Sequence, residues 1–124
     1  MEKHLATIWE AVADATPDEI AVVQGNRRTS WAELDDRAAR LAGAFLAAGL
    51  GPDSKVAQYL YNSPEYLESY FAALKIRAVP VNVNYRYLDD ELLYLLDNSE
   101  AEVLVFHSSL GERVERIRGR AAGV

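Results

Sequence analysis

Arg86, flanked by Tyr85 and Tyr87, combines residue types that can bind an anion: a forked guanidinium donor between two aromatic rings. It closes the stretch Ala78–Tyr87, AVPVNVNYRY, which opens with the β-branched alternation Val79, Val81, Val83 and so reads as a strand leaving a sheet at Asn84. Carboxyl ends of strands in α/β sheets are where ligands sit, so Arg86 is a candidate phosphate or carboxylate contact and Tyr85 and Tyr87 are candidate pocket walls. The competing expectation is that the tyrosines pack over the loop while Arg86 pairs with Asp89 or Asp90. A second basic group lies further on, where Arg113, Arg116 and Arg120 stand at i, i+3 and i+7 of one expected helix face. They could meet a phosphate-bearing partner together, or form a solvated face with a Glu112–Arg116 ion pair.

Other chemistry has no carrier. The chain has no cysteine, and its two histidines, His4 and His107, are far apart, so no thiolate or imidazole metal spacing exists. Asp89-Asp90-Glu91 suits the positive end of a helix better than paired acid/base work. There is no G-x-S-x-G, H-E-x-x-H or Walker sequence, and Leu60-Tyr61-Asn62-Ser63-Pro64, where a mononucleotide fold would carry its phosphate loop, contains no glycine. No catalytic residue and no metal ligand is assigned. A formal net charge of -6 argues against general nucleic-acid binding. No apolar run is long enough to span a bilayer, no secretory signal is legible, and a cytoplasmic location is expected.

The elements that must position these residues are legible from periodicity and caps. Leu5, Ile8, Trp9 and Val12 share one helical face, and Ile20–Gln24 and Arg27–Thr29 flank the Gly25-Asn26 turn as a small hairpin. Ser30 and Glu33 have the spacing of a capping box for a helix that Gly49, Leu50 and Pro52 end. Lys55–Tyr61 reads as a strand, and Ser63-Pro64 starts a helix whose face is Leu67, Tyr70, Phe71 and Leu74. After the Val79 strand come a helix with Leu92, Leu95 and Leu96, a strand Val103–Phe106, and a last helix capped by Ser109 and Glu112 with inner face Leu110, Val114, Ile117 and Ala121.

Strands at Lys55, Val79 and Val103, each separated from the next by one helix, predict an α/β fold: a three-layer βαβαβ parallel sheet unit preceded by an N-terminal helix and small hairpin. Residues 1–52 form a helix-hairpin-helix cover and residues 53–124 a βαβαβα unit. Parallel strands are normally buried on both faces, so so small a sheet implies further neighbours or self-association.

The succession TPDEIAVV, RRTSWAELDDRAARLAGAFLAAGLGPDSKVAQYLYNSPEY and FAALKIRAVPVNVNYRYLDDELLYLLDNSEAEVLVF resembles the amino-terminal portion of the adenylate-forming (AMP-binding) acyl-CoA synthetases, most of all the fatty-acyl-CoA ligase branch. The resemblance implies an incomplete subdomain of the large amino-terminal lobe of a ligase that uses ATP, CoA and Mg2+ to activate a fatty or related carboxylic acid through an acyl-adenylate. The remainder of the ligase is then a partner. The family's phosphate loop, magnesium-linked Glu, ribose-binding Asp and mobile-domain lysine find no match here, so the chain alone is expected to be non-catalytic. Some members contact CoA from a helix comparable to that of Arg113 and Arg116, which makes these two candidate CoA contacts. Arg77 stands where members often have glycine. The alternatives are a stand-alone interaction module and a sibling adenylating enzyme, such as an aryl-acid ligase or a luciferase relative.

Overall fold

The computed structural model describes residues 4–121 and 123–124. Helix α1 (Leu5–Ala15) is followed by the hairpin of β1 (Ile20–Gln24) and β2 (Arg27–Ser30), then by α2 (Trp31–Ala47), β3 (Lys55–Tyr59), α3 (Pro64–Lys75), β4 (Val79–Asn82), α4 (Asp89–Asn98), β5 (Val103–Phe106) and α5 (Gly111–Ile117), with a 3-10 turn at Ser108–Leu110. The hairpin turns at Gly25, whose φ of 57° fits the first central position that a type II′ turn reserves for glycine.

Local signals account for most boundaries. Ser30 and Glu33 form the reciprocal capping box, each side chain bonding the other's backbone N–H at 3.1 Å. Ser63 caps α3 with Pro64 at its first position. Helices α2, α3 and α4 end in the same way: the N–H groups of Leu50, Ala78 and Ala101 reach back to the carbonyls of Phe45, Ala73 and Leu96. This Schellman closure needs a left-handed residue just past the helix, supplied by Gly49 (φ 95°), Arg77 (φ 63°) and Glu100 (φ 57°). At Arg77 the conformation strains a residue with a Cβ, by about 1 kcal/mol. The guanidinium offsets part of this by bonding the Leu74 carbonyl at 3.1 Å and the Thr7 hydroxyl at 3.4 Å. Arg77→Gly should therefore raise the unfolding free energy from urea titration by a net ~0.5 kcal/mol with an unchanged m-value, and β-branched Arg77→Val should lower it. A glycine variant less stable than wild type would place the greater weight on the side-chain bonds.

The three parallel strands run in the order β4-β3-β5. The Val79 strand, middle of the three in sequence, is thus an edge, where Pro80 is tolerated because no further strand needs its missing N–H. Strand β3 is the centre. It ends at Tyr59 rather than running on to Tyr61, because its last register pairs, Gln58 with Asn82 and Tyr59 with Phe106, exhaust both neighbours. The alternation along β3 divides the core. Val56 packs into a cluster with α1, α2 and α3 (Ala6, Leu34, Ala38, Phe45, Phe71, Ile76), whereas Ala57 and Tyr59 pack with Val83, Leu92, Leu96, Leu110 and Ile117 of the opposite face. The crossover through α3 moves one way along the sheet and that through α4 moves back past β3, so helices on opposite faces keep both connections right-handed.

The last helix departs from expectation at both ends. His107 caps the turn that precedes the helix, its Nδ1 accepting the Ser109 N–H at 3.0 Å, while α5 itself starts from Leu110 without a side-chain cap. Ser108–Leu110 wind into this 3-10 turn, so the Ser109–Glu112 capping box does not form. Helix α5 stops at Ile117 because the next turn, containing Gly119, closes with the N–H groups of Arg120 and Ala121 both on the Ile117 carbonyl. Arg120 therefore does not extend the face of Arg113 and Arg116.

Candidate functional site at the carboxyl end of the sheet

The two crossovers leave the carboxyl ends of neighbouring strands β3 and β4 toward opposite faces, α3 to one and α4 to the other, and the carboxyl end of an open parallel sheet at such a point is where ligands are held. The residues emerging there are Tyr61 after β3, Asn84–Tyr87 after β4 and His107–Ser109 after β5. Their rings gather. Tyr61 lies 4.9 Å from Tyr85 and 5.2 Å, edge-on, from His107, centroid to centroid. Ser109 Oγ sits 2.9 Å from His107 Nδ1 and donates to the Tyr61 hydroxyl at 3.3 Å. Since Nδ1 accepts the Ser109 amide, the neutral ring carries its proton on Nε2.

Arg86 projects from a tight turn. The Tyr87 N–H bonds the Asn84 carbonyl at 3.0 Å, and the Arg86 N–H bonds the Asn84 side-chain oxygen at 2.9 Å, an arrangement that asparagine supplies readily. The guanidinium carbon is 5.5 Å from the centroid of the Tyr85 ring. The expected pairing with Asp89 or Asp90 does not occur: among the described residues Arg86 has no ion-pair partner, because Asp89 is taken by Arg116. Tyr85 and Tyr87 are half-buried against the α4–α5 side of the core.

Arg113 and Arg116 have separate surroundings. Arg113, half-buried, turns inward and donates to the Tyr85 carbonyl at 2.7 Å and to the Tyr59 hydroxyl at 3.3 Å. Arg116 is exposed and holds both carboxylate oxygens of Asp89 through Nε, at 3.1 and 3.2 Å, in place of the expected Glu112 partner. That hydrogen bond keeps the Asp89 carboxyl below its ordinary range and raises Arg116. Asp89, Asp90 and Glu91 occupy the first turn of α4, which has no side-chain cap, so their charges stand at its positive end.

Tyr59, Tyr61, His107 and Ser109 were not among the residues that sequence alone singled out. The usable signal was positional, since each lies at or just after a strand end. A groove of about 770 Å³ lies elsewhere, along α4, and is lined by Asp90, Asp97, Glu100 and Glu102 with Arg120, a charge balance that repels phosphate. Among the described residues no three His, Asp or Glu side chains converge as a metal-ligand set. No described helix is long and apolar enough to cross a membrane.

The family described as AMP-binding enzyme matches residues 9–122. The chain belongs to this family. Among its relatives, a 3-oxocholest-4-en-26-oate--CoA ligase of Rhodococcus rhodochrous is 35% identical over 117 residues, which is 94% of this chain and 21% of that protein. A medium/long-chain-fatty-acid--CoA/3-oxocholest-4-en-26-oate--CoA ligase of Mycobacterium tuberculosis is 37% identical over 114 residues, 92% of this chain and 21% of its own length. This member thus spans about a fifth of these curated relatives. A solved Mycobacterium tuberculosis fatty acyl CoA synthetase superposes with a TM-score of 0.88 at 25% identity, over 95% of this chain and 24% of that one. An anthranilate CoA ligase in complex with anthranoyl-AMP shares the fold, with a TM-score of 0.92 at 22% identity over 98% of this chain and 24% of the other.

Proposed function

We propose that the chain is the amino-terminal subdomain of an ATP-dependent ligase that joins a fatty or related carboxylic acid to CoA. The observation that carries this reading is the family match over residues 9–122 together with 35% and 37% identity to acyl-CoA ligases. In the proposed reaction the acid's carboxylate oxygen attacks the α-phosphorus of ATP and pyrophosphate leaves, giving an acyl-adenylate. The CoA thiolate then attacks the acyl carbon and expels AMP.

The chain's own residues scaffold this chemistry rather than perform it. Stabilising charge on a phosphoryl centre requires positioned donors and metal, and among the described residues no three His, Asp or Glu side chains converge as a metal-ligand set. What they offer is a basic, aromatic edge. Arg86 and Arg116 face a phosphate of CoA, Arg113 stands behind them, and Tyr85 and Tyr87 wall the approach. The remainder of the ligase covers the outer edges of β4 and β5. On its own the chain self-associates through these edges, and a strictly monomeric species at high concentration in sedimentation contradicts that.

Two measurements test the assignment. The 124-residue chain should release no pyrophosphate from ATP in the presence of fatty acid, whereas the ligase carrying this segment should do so in an acid-dependent way and pass the acyl group to CoA. In that ligase, replacing Arg113 and Arg116 together by Ala should raise the Michaelis constant for CoA about tenfold, the equivalent of ~1.4 kcal/mol, and leave adenylation unchanged. Unaltered CoA dependence rejects the CoA-facing edge. Acid-dependent release that accepts only aryl acids, or no CoA, rejects the acyl-CoA ligase reading.

A further inference from the structure

The turn that carries Arg86 is held from inside by groups that no reading of the sequence connected to it. The hydroxyl of Tyr59, a residue with no exposed surface at the end of the central strand, donates to the carbonyl of Tyr87. Arg113, from α5, donates to the carbonyl of Tyr85 and to that same Tyr59 hydroxyl. The carbonyls on either side of Arg86 are therefore both fastened, one to each member of a hydrogen-bonded Arg113–Tyr59 pair. Asn84 holds the N–H groups of Arg86 and Tyr87. One residue of the turn is left pointing outward with a charge, and it is Arg86, exposed and without an ion-pair partner among the described residues.

We propose that Arg113 and Tyr59 are positioning residues that lock the Asn84–Tyr87 turn, so that Arg86 is presented at the carboxyl end of the sheet as a preorganised donor for a phosphate group. The inference rests on the reading of this edge as phosphate-facing and gives Arg113 a role different from direct contact. Its physical basis is the asymmetry of desolvation. Withdrawing a guanidinium from water to bond one carbonyl of a surface turn and the buried Tyr59 hydroxyl has a penalty that a hydrophobic side chain there would avoid. What the arrangement provides instead is a single turn geometry. A donor already fixed in its bound direction loses less freedom when the anion arrives, and so binds it more tightly.

The test uses the isotope-labelled 124-residue chain, with amide hydrogen exchange to report the turn and adenosine 3′,5′-bisphosphate as the phosphate probe. Arg113→Met should speed exchange of the Arg86 and Tyr87 amides about tenfold, leave the Val83 amide, bonded to the Gln58 carbonyl at 3.0 Å, unchanged, and weaken bisphosphate affinity severalfold. Tyr59→Phe, which keeps the buried ring and deletes only the hydroxyl, should act in the same direction more mildly, and it carries the test if Arg113→Met does not fold. Arg86→Gln should abolish the binding without altering exchange. Unchanged exchange at both amides in Tyr59→Phe overturns the clamp. A loosened turn in the clamp variants together with full affinity in Arg86→Gln instead overturns the phosphate-facing reading, and the two failures are thus told apart.

Discussion

Phe71→Ala is expected to remove about 3–5 kcal/mol of folding stability, measured as a fall in the urea midpoint of the 124-residue chain. Phe71 has no exposed surface and lies in the cluster that joins α1, α2, α3 and β3. Its ring meets Trp9 edge-on, with centroids 5.2 Å apart and planes at 74°, and the Lys75 ammonium sits 4.4 Å from its centroid. The truncation therefore deletes a large apolar transfer term, an aromatic pair and the seat of a cation at once. The neighbours Ala38, Ala72 and Ala73 are too small to collapse into the space, which puts the loss toward the upper end. Domains of this kind have about 5–15 kcal/mol in all, so the variant is close to unfolded at 37 °C. Phe71→Leu, which keeps most of the volume, should lose only about 1–1.5 kcal/mol. An alanine variant within about 1 kcal/mol of wild type would show that this face of the core repacks freely.

The second large effect is expected at Lys75, the one basic residue in the last turn of α3. Its Nζ bonds Glu10 of α1 at 2.9 Å and Asp35 of α2 at 2.7 Å, so a single ammonium ties three helices together. Burial alone would lower the Lys75 pKa, but the hydrogen bonds that its ammonium donates to Asp35 and Glu10 prevail and raise it, so the group stays charged. The Lys75 side chain is 11% exposed while Glu10 and Asp35 are 42% and 32% exposed, so the carboxylates can recover water when the lysine is removed. That recovery places the cost of Lys75→Ala at about 2 kcal/mol, below the 3–5 kcal/mol of a fully buried pair. Lys75→Met separates the contributions. It restores the apolar stem over Phe71 and keeps only the electrostatic part of the loss, so it should fall between wild type and Ala. Equal losses for Ala and Met would assign the whole effect to charge.

Sequence reasoning reached the elements wherever one residue type answers a local backbone demand. Ser30 with Glu33, Ser63 with Pro64 and Gly49 with Leu50 each satisfy orphan groups within a few residues of themselves, and each boundary is found where those residues stand. The hairpin at Gly25 and the regular alternation of strand and helix after Lys55 are legible for the same reason. Family membership followed from the same linear pattern, since it needs the order of segments and not their contacts.

The parts that sequence could not reach are contacts between distant segments. Arg116 was expected to bond Glu112, four residues away, and Arg86 to bond Asp89 or Asp90; the packing of α5 against the start of α4 gives Asp89 to Arg116 and leaves Arg86 exposed. Ser109 does not cap α5 because it lies inside the 3-10 turn that His107 caps.

By itself, then, the sequence determined a parallel α/β unit, the caps of α2 and α3 and its family, because periodicity, capping and turn chemistry act over one to seven residues and are written in residue type. Only the tertiary structure decided that β3 is central and the Val79 strand an edge, that Arg113 faces inward to Tyr59 and the Tyr85 carbonyl, and that Tyr61, His107 and Ser109 meet at the sheet's carboxyl end. The physical reason is that a long polar side chain takes whichever partner the packed backbones bring within hydrogen-bonding reach. For Arg113 and Tyr59 that partner lies 54 residues away along the chain.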